Sequence, residues 1–311
     1  MQKKRKHHYV WEHYLRAWAS DGRKIWCRRS NGDCFLTSTE NVAQSRDFYR
    51  LREVSELTIR FIEALIDQCP EPLVRDAARG WIPGFRLFFK LQRASLAWGM
   101  NNPKLAAELD RAINDLEEEI HTDIEGAAIP LLAALRNADA SFLDENARAI
   151  EFTRFIAFQH MRTRHMMKSV MRSLGGSEIM PGLNLEPAWG LLRTVMATNL
   201  TFSFFMRLRS TQLSFLDSGP GTEFITTDQP TINTFAIPGA TTAPTELEFY
   251  YPLSPGRALL WTFDRSPFAV HRRQLTDDET LAFNRLIAAR SGDQVYAATE
   301  RALLQASTAS S

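Results

Sequence analysis

Lys24-Ile25-Trp26-Cys27-Arg28 and Cys34-Phe35-Leu36-Thr37, joined through Asn31-Gly32-Asp33, form the stretch on which the fold turns. Asn-Gly between two such runs signals a hairpin, because both turn positions tolerate positive φ. The hairpin places strands ahead of a region whose periodicity is helical, from about residue 54 to residue 208. Within that region Leu57, Phe61, Leu65 and Ile66 outline one amphipathic face, and Leu87, Phe88, Leu91, Leu96 and Trp98 outline another. A continuous helix is expected from about Glu145 to Leu174. Pro70, Pro83, Pro103, Pro130 and Pro181 are expected at helix starts or gaps. After Arg209 short extended runs return at 212–216, 223–227, 246–251 and 258–263, with Gly219-Pro220-Gly221 and Ser254-Pro255-Gly256 as turns. Thr276-Asp277-Asp278-Glu279 announces a last helix through a capping box. Residues 293–298 then read as a strand, and the tail 306–311 as loose.

The class is therefore α+β, a helical middle region packed with a mostly antiparallel sheet built from N-terminal and C-terminal strands. The segments 1–50, 54–208 and 209–298 belong to a single domain, 1–311, because pairing of the terminal strands makes the helical middle an insertion.

With 311 residues, 44% of them hydrophobic, the chain can bury a sizeable core. Its 37 basic and 36 acidic side chains leave a net charge of +1, so the total argues for neither nucleic acid nor membrane. Lys3, Lys4, Arg5 and Lys6 at the start and Glu117, Glu118 and Glu119 in the middle read as a solvated tail and a solvated face. Cys27, Cys34 and Cys69 are too few for a disulfide framework and read as free thiols of a cytoplasmic protein. No window is apolar enough for a transmembrane helix, and no secretory signal follows the basic start.

Three places carry side chains with chemistry to spare. The first is His7-His8-Tyr9, where an extended backbone sends His7 and His8 to opposite faces, so only one imidazole can meet a given ligand. Arg16 follows within reach of Glu12. The second is the run in which Gln159, Arg162 and Thr163 interrupt an apolar stripe of Phe152, Phe155, Ile156 and Met166. A buried guanidinium needs a carboxylate, a set of carbonyls or a ligand anion. Structural pairing and ligand binding weigh equally for Arg162, while His160, Arg164 and His165 are expected on another side, with His160 and Arg164 as a solvent-side pair. The third is Phe224-Ile225-Thr226-Thr227-Asp228-Gln229-Pro230, in which Asp228 closes a strand where loops present functional groups. Ser254 lacks a Gly-x-Ser-x-Gly elbow, and Walker A, dinucleotide, His-Glu-x-x-His and EF-hand signatures are absent.

These segments resemble a widespread, largely bacterial family filed as a domain of unknown function, whose members open with His-His-Tyr-Val-Pro. Here the opening is His7-His8-Tyr9-Val10-Trp11, so Trp11 replaces the proline. The family's later patterns are matched by Tyr14-Leu15-Arg16 with Trp18, by Asn41-Val42 with Asp47-Phe48-Tyr49, and by Gln159, Arg162 and Thr163. Its Ser-Asp-Asn-Pro looks like Thr227-Asp228-Gln229-Pro230. Its Pro-Leu-Ser-Pro is intact at 252–255, and its late Asn and Val-Tyr-Ala fit Asn284 and Val295-Tyr296-Ala297. The resemblance implies no activity, but it singles out the same polar residues.

The inventory suits a phosphoester-directed enzyme, concretely a nuclease-like hydrolase acting as a toxin or defence effector. In that reading His7 or His8 moves a proton, Asp228 orients the imidazole, and Arg16, Gln159, Arg162 and Thr227 hold an anionic substrate or nucleic acid. A divalent metal is compatible with this set, which offers too few ligands to assign one. The alternative is a non-catalytic sensor or binding module that uses the same arginines for an anionic ligand or nucleic acid.

Overall fold

The computed structural model describes residues 6–174 and 182–306. The expected turn forms, with Gly32 at a φ of +93° and the Arg29 N–H donating to Asp33 O at 2.9 Å. It joins β2 (Lys24–Arg29) to β3 (Cys34–Ser38) in antiparallel register, Ile25 opposite Thr37. Cys27 lies opposite Phe35 rather than Cys34, and all three cysteines are free.

The N- and C-terminal strands do pair. β11 (Gln294–Ala297) inserts antiparallel between β2 and the two-residue strand β6 (Thr226–Thr227), with Tyr296 opposite both Cys27 and Thr226. The sheet order is β3-β2-β11-β6. Two further sheets accompany this one. β1 (Lys6–His8) pairs antiparallel with β4 (Gln44–Arg46), His7 opposite Ser45. The larger sheet has the order β10-β5-β9-β8-β7, built from β5 (Thr211–Asp217), β7 (Ile232–Asn233), β8 (Glu248–Ser254), β9 (Arg257–Phe263) and β10 (Ala269–Gln274). Only β10 and β5 run parallel.

The sheets and helices share one core. The short helix α1 (Glu12–Leu15) drives Tyr14 and Leu15 inward, and the Tyr14 hydroxyl sits 2.7 Å from Thr226 Oγ1 while donating to Pro252 O at 2.9 Å. Trp18, fully buried, donates its indole N–H to Phe224 O at 2.8 Å. One side chain thus satisfies a buried carbonyl while filling the seam between two sheets.

The helical middle consists of α2 (Glu56–Asp67), α3 (Pro72–Ala97), α4 (Pro103–Arg136), α5 (Asn146–Met161), α6 (Arg164–Ser173) and α7 (Trp189–Arg207). Pro103 opens α4 and Pro70 lies in a gap as expected, but Pro83 and Pro130 sit inside α3 and α4; Pro181 lies outside the described residues. On α3 the expected apolar face points to solvent, with Leu87, Leu91, Leu96 and Trp98 exposed. Val74, Ala78, Ile82 and Phe85 are buried instead, at the i, i+4, i+8, i+11 spacing of a helix face. On α2 the buried set is Thr58, Ile59, Ile62 and Ile66, so of the expected face only Ile66 is fully covered.

The helix expected from Glu145 to Leu174 is two helices. Thr163 adopts an extended conformation between α5 and α6, and its side chain caps α6 by accepting from Met166 N–H at 3.3 Å. A threonine hydroxyl rewards that break by satisfying a helix N-terminal donor. Downstream, α8 (Asp277–Ala288) starts with the predicted capping box of Thr276 and Glu279, and α9 (Glu300–Gln305) follows β11. Asn284 on α8 clamps the approach to β6, accepting from Ile225 N–H at 3.0 Å and donating to Glu223 O at 2.8 Å. Among the described residues no helix is long and apolar enough to cross a membrane. The basic residues 3–5 and the tail 307–311 lie outside them.

Candidate functional site

Asn114, Glu117, His121 and Glu125 occupy one buried face of α4, at i, i+3, i+7 and i+11. The acidic run at 117–119 is therefore no uniform solvated face: Glu117 is buried while Glu119 is exposed. The buried carboxylates meet two guanidinium groups. Arg162, at the C-terminus of α5, donates Nη1–H to Glu125 Oε1, Nη2–H to His8 O and Nε–H to the Tyr49 hydroxyl at 2.8 Å. Arg193 of α7 donates from Nε and Nη2 to Glu117 Oε1 at 3.0 and 2.7 Å.

Tyr49 stands between these pairs. Its ring lies 4.5 Å below the Arg193 guanidinium and 5.5 Å from that of Arg162, and it stacks on His7 at 5.5 Å. His7 accepts the Tyr49 N–H at Nδ1 (2.9 Å), and its Nε2 lies 3.4 Å from the Asn114 side-chain nitrogen. Burial pushes the Tyr49 phenol up to about 12 and raises both Glu117 and Glu125, with the arginines opposing. Burial and the two arginines hold His121 well below the usual imidazole range.

The structure thus brings His7, the His8 backbone, Gln159 and Arg162 together, with Gln159 Nε2–H donating to Glu125 Oε1 at 3.4 Å. Every nitrogen of the Arg162 guanidinium is engaged by the protein itself. The His8 ring keeps Nε2 without a partner, and burial lowers its pKa. Arg16 is in the exposed i, i+4 pair with Glu12 at 3.0 Å.

Asp228 hydrogen-bonds neither histidine. Its carboxylate accepts the backbone N–H of Gly292, Asp293 and Gln294 at 2.7, 2.7 and 3.2 Å, fastening the α8–β11 turn to the end of β6. Burial pushes this carboxyl up to about 6, against the three N–H donors that favour its charged form. Thr227 Oγ1 closes a local turn, donating to Gln229 O and accepting from Gln229 N–H, both at 3.0 Å. The Gln229 side chain receives the Thr163 hydroxyl and donates to Thr231 O at 2.7 Å, which links this loop to the α5–α6 break.

Beside that break lies a cavity of about 450 Å³ between α6, α7, β8 and the segment 236–247. Met161, Val170, Leu192, Val195, Ile232 and Phe249 give it apolar walls. His160, His165, Arg172, Asn199, Gln229 and Arg290 are among its polar groups. His160 Nδ1–H donates to Thr231 O at 2.9 Å, and the ring meets Phe249 edge-on at 5.1 Å. Burial pushes His160 down to about 4 and lowers His165, which Arg172 and Arg290 depress further. Arg290 donates Nη2–H to Thr234 O and Ala236 O at 3.0 and 2.7 Å and Nη1–H to Leu286 O at 2.9 Å. Its Nε has no partner, and no carboxylate among the described residues pairs with it.

Both histidines face this cavity rather than solvent because the helix breaks between them. On a continuous helix five residues turn the side chain through about 140°; the extended Thr163 resets that phase. Arg290 carried no sequence signal beyond its place just past α8. Glu117, His121 and Glu125 did carry one, a repeat of four along a helix. Among the described residues no three His, Cys, Asp or Glu side chains group closely enough to hold a metal ion.

One expectation concerns acid. A histidine with a lowered folded pKa contributes stability that is present above the unfolded value of 6.5 and lost as pH falls toward about 4. Going from pH 7 to pH 5, His160 should therefore withdraw about 2 kcal/mol. Asp228 has the opposite sign between about 6 and 3.8, so the readout is the difference between proteins. Denaturant melts at the two pH values should show His160→Gln losing about 2 kcal/mol less than the parent; equal losses would contradict the assignment.

The family described as "Protein of unknown function (DUF4238)" matches residues 6–301. No curated protein and no solved structure matches the chain.

Proposed function

Because the chain belongs to the DUF4238 family, from which no activity carries over, we propose that it binds an organic anion with an apolar body in the cavity beside the α5–α6 break. The observation that carries this reading is Arg290, a guanidinium held by carbonyls alone, with a free Nε, on the lining of a largely apolar space. Arg290 is half-buried and its Nε is buried without a partner, so a ligand carboxylate or phosphate supplies an acceptor and a counter-charge while its body covers the methionines, valines and leucines. The volume of about 450 Å³ suits a small organic molecule. The chain then acts as a sensor or binding module.

A phosphoester-directed activity is the second reading, favoured by the two imidazoles of His160 and His165 on the same cavity. Burial favours the neutral form of both rings, and a neutral imidazole can accept a proton from water attacking a phosphate ester. In this form the protein is a hydrolase of the effector type that its polar inventory suggests.

The test is a panel of medium-chain fatty acids, aromatic carboxylates and aryl phosphates, followed by thermal shift, calorimetry and phosphate release. At least one member should raise the melting temperature, and Arg290→Gln should weaken its binding roughly 10–100-fold, the range for a lost charge-assisted hydrogen bond. Leu200→Trp, which puts a bulkier side chain on the cavity wall, should weaken binding. A panel without a binder, or a binder indifferent to both substitutions, would sink the proposal. Phosphate release that His160→Gln or His165→Gln suppresses would select the hydrolase, and binding without release the sensor.

A further inference from the structure

On the other side of α6 from the large cavity lies a cleft of about 280 Å³, bounded by the segment 45–54, the start of α6 and the start of α7. Arg46, Arg50, Arg52, Arg164 and Arg193 line it. Three carboxylates oppose these five cations: Asp47, whose Oδ2 is 3.8 Å from Arg46 while its buried Oδ1 has no partner, Glu186 with Arg52 at 3.3 Å, and Glu117 with Arg193 at 2.7 Å. Arg164 is exposed and pairs with no carboxylate among the described residues. It is held instead against aromatic faces, 5.3 Å over Tyr9 and 5.7 Å over Phe48, while Arg193 lies 5.6 Å from Phe48. The stacking fixes the fork of Arg164 and leaves its N–H groups free.

Two buried donors point to the same need. Arg50 gives Nη2–H to Asp110 at 2.5 Å, but its Nη1 is buried without a partner. Trp189, only 5% exposed, lines the cleft with an indole Nε1 that is likewise buried and unpartnered. Trp189 is the first residue of α7, a 19-residue helix whose N-cap Ala188 supplies no side-chain acceptor. Native proteins rarely leave buried donors unpaired, and the positive end of a helix attracts an anion.

We propose that this cleft is a second ligand site, specific for the phosphate or diphosphate group of a small phosphorylated molecule. Planar forks from several directions, an indole N–H and a helix N-terminus match an oxyanion with three or more acceptor oxygens better than a single carboxylate. The small volume suits such a head group rather than a large apolar body.

Isothermal titration of the full chain with pyrophosphate, a nucleoside diphosphate and citrate tests the site. Saturable binding of pyrophosphate is expected, weakened about 10-fold or more by Arg164→Gln and by Trp189→Phe. Neither substitution empties the core, since Arg164 is exposed and Phe keeps an aromatic ring. Arg273→Gln, which removes an exposed pair with Glu279, should leave binding unchanged. Leu200→Trp should also bind pyrophosphate normally, which separates this site from the large cavity. Tighter binding of the nucleoside diphosphate would assign the ligand to nucleotides, and equal binding to the phosphate group alone. Absence of pyrophosphate binding, binding equal in the parent and both cleft variants, preference for citrate, or binding of long nucleic acid only would each overturn the proposal.

Discussion

Arg162→Met is expected to lower the melting temperature by on the order of 10 °C. The substitution keeps an unbranched apolar stem and removes the charge, leaving the Glu125 carboxylate buried without its guanidinium, the Tyr49 hydroxyl without the Arg162 donor, and the His8 carbonyl with the Tyr49 hydroxyl at 3.2 Å in place of two donors. Breaking a buried ion pair from one side costs about 3–5 kcal/mol, and each kcal/mol moves the transition of a large domain by about 2–4 °C. Combining Arg162→Met with Glu125→Leu should return much of the loss, because the stranded charge leaves with its partner. Arg162→Lys should fall between, retaining charge but not the three-way fork. A ligand arginine would behave differently: the ligand-free protein would melt normally and only binding would suffer. Thermal melts of the four proteins without ligand decide the matter.

Gly190→Ala is expected to destabilise by roughly 2–4 kcal/mol net, even though alanine is the better helix former by about 1 kcal/mol. A Cβ at this position would meet Oε2 of Glu117 at 2.6 Å and its Cδ at 2.8 Å. Those atoms belong to a side chain that could swing away elsewhere, but here two hydrogen bonds lock the carboxylate to Arg193. The approach of the Glu117 carboxylate to the α7 backbone therefore depends on glycine. In a Glu117→Ala background the same Gly190→Ala change should be neutral or stabilising, since the obstacle is gone and helix propensity remains. Urea melts of the cycle would refute the account if Gly190→Ala stabilised the parent protein.

The two substitutions mark what could and could not be read along the chain. Arg162 drew attention as a cation in an apolar stripe, and its need for a partner followed from desolvation alone. Which partner it has did not follow, because Glu125 lies 37 positions away and the acidic run before it resembled a solvated face. His7 and His8 were legible as an unusual pair at a chain end, yet the use of the His8 carbonyl rather than its ring as the Arg162 acceptor depends on where β1 docks. The cavity containing Arg290 could not be seen at all, since its polar groups come from α5, α6, α7, the turn after α8 and the β6–β7 loop.

By itself the sequence determined the features that close within a few residues. The Asn31-Gly32 turn, the Thr276–Glu279 capping box and the change from helical to strand periodicity after Arg209 all depend on φ preferences or on hydrogen bonds between near neighbours. The pairing of the two chain ends was also implied, because short strands at both termini need edges to join. Tertiary structure alone decided the separation into distinct sheets, the face that α3 buries, the break at Thr163 and the sorting of charges between core and solvent. Each of those depends on groups far apart in sequence that become neighbours only when water is excluded between them, so desolvation, with no local signature, selects the outcome.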